Sequence, residues 1–198
     1  MRNNHRVKIR EIKTLSNDWY LLQKTTFDYQ MTDGSWRTLA RETYDRGNGA
    51  TILLINRTQG TVLLTRQFRF PAYVNGSADG MLVETCAGLL DNQSPEEAIR
   101  REAEEELGVK VGEVHKVLEV YMSPGSVTEK LFFFVAEYDS PTNKSAGNHA
   151  EGEDIAVVEL SLAEALDWID NGRIQDAKTI ILLLLAQRKG WFGEAHSR

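Results

Sequence analysis

Three glutamates, Glu102, Glu105 and Glu106, stand in the run Arg101-Glu102-Ala103-Glu104-Glu105-Glu106-Leu107-Gly108-Val109. The local signals around them predict a helix from Ser94 to Leu107. Ser94 is a natural N-cap, Pro95 suits the first helical position, Glu97 completes a capping box, and Gly108 stops the helix. At about 100° per residue, Ile99, Ala103 and Leu107 make an apolar stripe, and Glu106 projects only about 20° from Ile99. Glu102 and Glu106 are four apart and share one face at the edge of that stripe. Glu105 lies one step further round. Carboxylates beside a core-facing stripe repel each other and lose hydration. A divalent cation removes both problems, because hard cations prefer carboxylate oxygens, and Mg²⁺ also keeps waters and bridges to phosphates. Arg101 stands beside the cluster and can pair with a glutamate to hold it in place. On the helix alone a solvated acidic face is an equally good reading, since Glu is a good helix former.

The elements that must position this helix read as mixed strands and helices. Val7–Ile12 alternates apolar and polar, Trp19–Tyr29 is aromatic and β-branched, Asp33-Gly34 marks a turn, and Trp36–Tyr44 returns as a strand. Arg46-Gly47-Asn48-Gly49 breaks the pattern, which puts a boundary near Gly47 between a β subdomain (1–46) and the remainder (47–198). Further strands are expected over Ala50–Asn56 and Thr61–Arg69 as a hairpin, then Met81–Ala87, Glu113–Met122, Lys130–Tyr138 and Ile155–Leu160. Val74–Gly80 and Asp139–Glu153 read as loops, the second mobile. Ser161-Leu162-Ala163-Glu164 opens one closing helix, and Gln175–Lys189, ended by Gly190, is the other. Mixed strands with interrupted helices imply a sheet covered by helices on both faces.

Composition narrows the classes. A net charge of −6 argues against a nucleic-acid groove, although an acidic enzyme can bind phosphates through intervening metal ions. The single cysteine, Cys86, permits no internal disulfide and sits in an apolar run, as a buried core thiol would. The polar N-terminus lacks the apolar stretch of a secretory signal, and the longest apolar run, Ile180–Ala186, is far short of the roughly 20 residues that span a bilayer. A cytoplasmic protein with no membrane or nucleic-acid partner is expected. The four histidines have no metal-ligand spacing.

The run Arg101–Val109 resembles the second half of the Nudix box, Arg-Glu-U-x-Glu-Glu-x-Gly-U with U aliphatic or small, and matches it at every specified position. The first half departs from the box: Gly88 is one residue too near Arg101, and Gln93 or Ser94 stands in place of a Glu. The chain is also similar to the ADP-sugar-type branch of the Nudix superfamily at Tyr44–Ala50, Arg66–Arg69, Glu84–Asn92 and Tyr121–Gly125.

That resemblance implies a Nudix α/β/α sandwich with an N-terminal β-rich subdomain, in a homodimer that exchanges its N-terminal parts. It implies Mg²⁺-dependent cleavage of a nucleotide sugar, GDP-mannose to GMP and mannose 1-phosphate, with two or more ions per site and Mn²⁺ as a possible substitute. The implied metal ligands are the Ala87 carbonyl, Glu102, Glu106 and Glu153. The implied catalytic groups are Glu105, Glu106 and Glu153, with Glu153 a candidate base on the mobile loop. Implied substrate contacts are Trp19, Ala40, Arg41, Glu42, Arg69, Glu129, Gly152, Glu153 and Lys178. On spacing alone three of these look ordinary: Trp19 as a core aromatic, Arg69 as a surface charge and Lys178 as solvated. Two alternatives stand beside this reading. One is a sibling hydrolase of ADP-ribose or another nucleotide sugar. The other is a non-catalytic nucleotide-sensing module, which would tolerate loss of the metal glutamates.

Overall fold

The structure is a computed structural model describing residues 5–139, 145–146 and 154–192. The chain divides into two compact units, Met1–Asn48 with Tyr121–Lys130, and Gly49–Val120 with Leu131–Arg198.

The first unit is built on an antiparallel sheet of β1 (Val7–Asn17), β2 (Leu21–Gln30) and β3 (Trp36–Asp45) in that order. Asp33 makes the β2–β3 turn by accepting hydrogen bonds from the backbone and hydroxyl of Ser35 (2.9 and 2.6 Å). Two register shifts interrupt β1, between Ile9 and Glu11 and between Thr14 and Ser16. The first keeps Ile12 on the same face as Val7 and Ile9, opposite Thr25, Phe27 and Tyr29 of β2. The segment Tyr121–Lys130, expected to be a strand end and a link, instead joins this unit beside β3. The Tyr44 amide donates to the Ser126 carbonyl (2.8 Å), and the Thr128 amide donates to the Tyr44 carbonyl (3.1 Å).

The second unit is an α/β/α sandwich. Its sheet runs β10 (Ser145–Ala146), β11 (Ile155–Ser161), β5 (Thr61–Phe68), β4 (Gly49–Asn56), β9 (Lys130–Glu137) and β8 (His115–Tyr121). Most pairs are antiparallel, but β4 and β9 run parallel. Every residue of β4 is buried, as both faces of a central strand must be when helices cover them. On one face Ala50, Ile52 and Leu54 pack with Ile99, Ala103 and Leu107 of helix α2 (Pro95–Leu107). On the other, Thr51 bonds to Thr85 (2.9 Å), and Thr179 of helix α4 (Ala177–Lys189) accepts from the Thr85 amide (2.7 Å). Helix α3 (Leu162–Asp170) packs on β11 and β5, and Ser161 caps it by accepting from the Glu164 amide (3.1 Å).

Two local expectations needed correction. The apolar run Met81–Ala87 is two strands, β6 (Met81–Glu84) pairing with β5 and β7 (Cys86–Leu89) pairing with β4, and the break falls at Thr85. At the break the Thr85 amide donates to the Thr179 hydroxyl (2.7 Å) and not to a neighbouring strand. A short helix α1 (Phe70–Val74), seeded by Pro71 near its start, precedes the Val74–Gly80 loop.

Candidate active site

Helix α2 forms as its local sequence dictates. The Glu97 amide donates to the Ser94 hydroxyl (3.3 Å), the Glu97 carboxylate accepts from the Ser94 amide (3.1 Å), and Gly108 ends the helix in the left-handed region. The hydroxyl of Ser94 first, and its backbone second, hold the Glu97 carboxyl below the usual range. The helix phase then sorts the glutamates. Glu106 is buried at 6% exposure, Glu102 is mostly covered, and Glu105 is exposed.

Glu102 and Glu106 turn toward β7. Gly88 passes so close to Glu102 that a Cβ there would collide with the carboxyl group. Cys86, two residues earlier, is fully buried, as expected of a core thiol. Burial pushes its thiol well above the ordinary range, and the charge of Glu106, a hydrogen bond to Glu106 and the charge of Glu102 push it further. Two carboxylates therefore crowd one buried spot beside Ala87, which is half-buried on β7.

Arg101 steadies this group. It donates to Glu102 (2.7 Å) and Glu105 (2.8 Å), bonds Gln93 (3.3 Å), and lies 3.9 Å from Asp91. Burial opposes its charge, but Glu102 and Glu105 outweigh that and raise its pKa. The shortened loop is accommodated by Asp91 and Asn92, both in the left-handed region (φ 44° and 67°), which these short polar residues tolerate. Gln93, one of the two residues that could stand where the box has Glu, ties the loop to Arg101.

Beside Cys86 lies a second group of charges. Arg69, just after β5, donates from Nε to Glu84 (2.9 Å) with Nη2 2.8 Å away as an ion pair, so it is a paired charge and not a free surface one. Lys178, in the first turn of α4, is buried, against the solvated reading. It reaches Glu84 (3.1 Å) and Asp176 (2.9 Å), and its charge is felt at Cys86. Asp176 caps α4 by accepting from the Thr179 amide (3.0 Å). Glu84, 3% exposed at the end of β6, and Asp176 had no role in the sequence reading. The partners of Glu84 come from distant segments, so no local spacing marks it, whereas those of Asp176 lie two and three residues on.

The other expected contacts fall in the first unit. Trp19 is 82% exposed, packed only edge-on against Tyr20 at 6.1 Å, which corrects its reading as a core aromatic. It precedes the paired part of β2, so the sheet gives it no inward face. Ala40, Arg41 and Glu42 are exposed on β3, and Arg41 and Glu42 line a groove of about 860 Å³ with Val7, Phe27, Tyr121 and Val127. Glu129 lies 3.7 Å from Arg46. Gly152 and Glu153 lie outside the described residues.

Two carboxylates and a neighbouring backbone carbonyl are hard oxygen donors of the kind Mg²⁺ takes, and the buried negative charge around Cys86 suits a cation. Among the described residues, no three His, Cys, Asp or Glu side chains gather to hold a metal alone. The Glu102–Glu106 pair would need waters or substrate oxygens to complete an ion's shell.

Comparison with known proteins shows the family. A family model described as the GDP-mannose pyrophosphatase NudK N-terminal domain matches residues 6–44, and the NUDIX domain matches residues 45–183. A GDP-mannose pyrophosphatase of Pectobacterium atrosepticum is 54% identical, with 95% of this chain and 97% of that protein covered. One of Yersinia enterocolitica is 56% identical over 93% of this chain and 97% of its own. The crystal structure of an ADP compounds hydrolase superposes with a TM-score of 0.72 at 20% identity, covering 96% of this chain and 98% of that one, a likeness of fold. With a NUDIX domain matched over the larger part of its length, and relatives more than half identical across nearly all of it, the chain belongs to the Nudix hydrolases.

Proposed function

We propose that this chain hydrolyses the diphosphate of GDP-mannose, giving GMP and mannose 1-phosphate. One observation carries the reading: Glu106, buried at 6% exposure, and Glu102, packed against Gly88, stand four residues apart on α2 where that helix meets the sheet. A diphosphate is a dense anion, and water attacks it only where that charge is neutralised. Mg²⁺, two or more ions with Mn²⁺ as a substitute, would supply that neutralisation and a more acidic bound water. Glu102, Glu106, the Ala87 carbonyl and Glu153 are the proposed ligands. Arg101 holds Glu102 in one rotamer, so the ligand is oriented before an ion arrives. Arg69 and Lys178 offer the cations that receive phosphate oxygens. Glu153 is the proposed base, with Glu105 and Glu106 assisting in catalysis.

Residues 1–46 in this reading are a β subdomain for dimerisation and nucleotide contacts through Trp19, Ala40, Arg41, Glu42 and, beyond that segment, Glu129, while 47–198 carry the chemistry together with Gly152 and Glu153. The exposure of Trp19 supports a contact role for it. The homodimer exchanges its N-terminal parts and works in the cytoplasm. Among the described residues no helix is long and apolar enough to cross a membrane. The presence of Glu102, Glu105 and Glu106 favours an enzyme over a sensing module. The test is product analysis by mass with GDP-mannose and ADP-ribose as competing substrates in Mg²⁺. GMP and mannose 1-phosphate as the faster products support the proposal, and preferential cleavage of ADP-ribose refutes it. Sedimentation at the mass of one 22.4 kDa chain would refute the dimer.

A further inference from the structure

We infer that Glu84 is a positioning residue that aims Arg69 and Lys178 at the diphosphate, an inference that rests on the proposed substrate. Its carboxylate is almost wholly buried, a costly place for a charge unless it is paired. It is paired twice, with cations from two distant elements. Arg69 donates from Nε to Glu84 Oε2 (2.9 Å), and its Nη2 stands 2.8 Å from the same oxygen as an ion pair. The hydrogen bond and the close ion pair hold the guanidinium against Glu84 and leave the Nη1 edge out of both contacts. The Arg69 side chain remains 39% exposed, so that edge can meet an incoming anion. Lys178 donates to Glu84 Oε1 (3.1 Å) and stands 2.9 Å from Asp176 Oδ1 as an ion pair. The backbone beneath is also fixed, because the Thr85 amide is bonded to Thr179, one residue from Lys178.

The charges of this group cancel: Arg69 and Lys178 against Glu84 and Asp176. The cations therefore act through direction, not through net attraction, and this separates two expectations. If Glu84 only offsets charge, Glu84→Gln leaves an extra positive charge and tightens anion binding. If Glu84 aims the cations, the same change frees them and weakens it.

The experiment measures binding of inorganic pyrophosphate to the full chain by calorimetry, together with GDP-mannose kinetics in Mg²⁺. For Glu84→Gln we expect the pyrophosphate Kd and the KM to rise about tenfold with kcat within about threefold, the pattern of lost uniform binding. Should that variant fail to fold, Arg69→Lys carries the test, since it keeps the charge and loses the Nε hydrogen bond to Glu84; the same rise in Kd and KM is expected. Pyrophosphate binding unchanged or tighter in the folded variant overturns the inference, as does a wild type that binds no pyrophosphate. Glu84-dependent pyrophosphate binding without GDP-mannose cleavage leaves the positioning role standing and refutes the substrate. Cleavage of GDP-mannose with Glu84-independent binding does the reverse.

Discussion

Glu102 lies against the α-carbon of Gly88 with no room for a methyl group between them. β7 and α2 are thereby brought together at one glycine, and the approach sets where the Glu102 carboxylate sits. Gly88→Ala should displace that carboxylate while leaving the strand pairing intact. A misplacement of about 1 Å in a catalytic group costs about 10²-fold in rate, so kcat should fall by about that factor and the Mg²⁺ needed for half activity should rise. Steady-state kinetics across a Mg²⁺ series, with a melting curve beside them, measures both. Wild-type kinetics in the variant would show that the contact is incidental.

Ser94 and Glu97 cap the other end of the same helix, on an exposed surface away from the glutamates. Ser94→Ala should cost about 1 kcal/mol of stability and leave the reaction rate unchanged. Urea unfolding and a single kcat determination suffice. A large loss of activity would mean that the helix start positions the site more directly than the geometry implies.

Asp28 on β2 accepts from Arg10 and from Thr38 (2.8 Å), and these bonds, Arg10 first, hold its carboxyl below the usual range. A carboxyl depressed by folding stabilises the charged state. Its contribution is complete above the ordinary carboxylate pKa of about 3.9 and is lost as pH falls through the depressed value. Asp28→Asn should therefore lower stability at neutral pH and flatten its decline below about pH 4. Urea midpoints followed through tryptophan fluorescence at several pH values test this. Parallel pH profiles for variant and wild type would contradict it.

Cys86 is buried, and burial, with Glu106 and Glu102 nearby, holds its thiol protonated. Only the thiolate reacts with iodoacetamide. At about pH 8, near the usual thiol pKa, the native chain should resist labelling while the urea-unfolded chain takes up one equivalent. Rapid labelling of the native chain would mean that β7 opens far more readily than its pairing with β4 suggests.

What the sequence made legible was local. The capping box, the stop at Gly108 and the burial of Glu106 follow from neighbours within two turns, and all are present. The central strand β4 was legible because its apolar run is continuous. Glu84 was not, because Arg69 lies 15 residues away in the chain and Lys178 94, and nothing in the spacing joins them. The break at Thr85 was hidden for the same reason, since the Thr179 hydroxyl that takes its amide lies 94 residues away. Trp19 was misread because aromatic residues usually pack inward, whereas it sits where β2 has not yet begun. The attachment of Tyr121–Lys130 to β3 was hidden because its backbone bonds at Tyr44 and its Thr128–Asp45 side-chain bond join residues more than 80 positions apart.

The central claim is that Glu102 and Glu106 together bind the divalent ions of the reaction. Mn²⁺ binding to the full chain, read by paramagnetic resonance for wild type and for Glu106→Gln, tests it most directly. Loss of a ligating carboxylate should weaken Mn²⁺ at least about tenfold, with the melting temperature nearly unchanged. Equal Mn²⁺ affinity in a folded Glu106→Gln chain would contradict the claim.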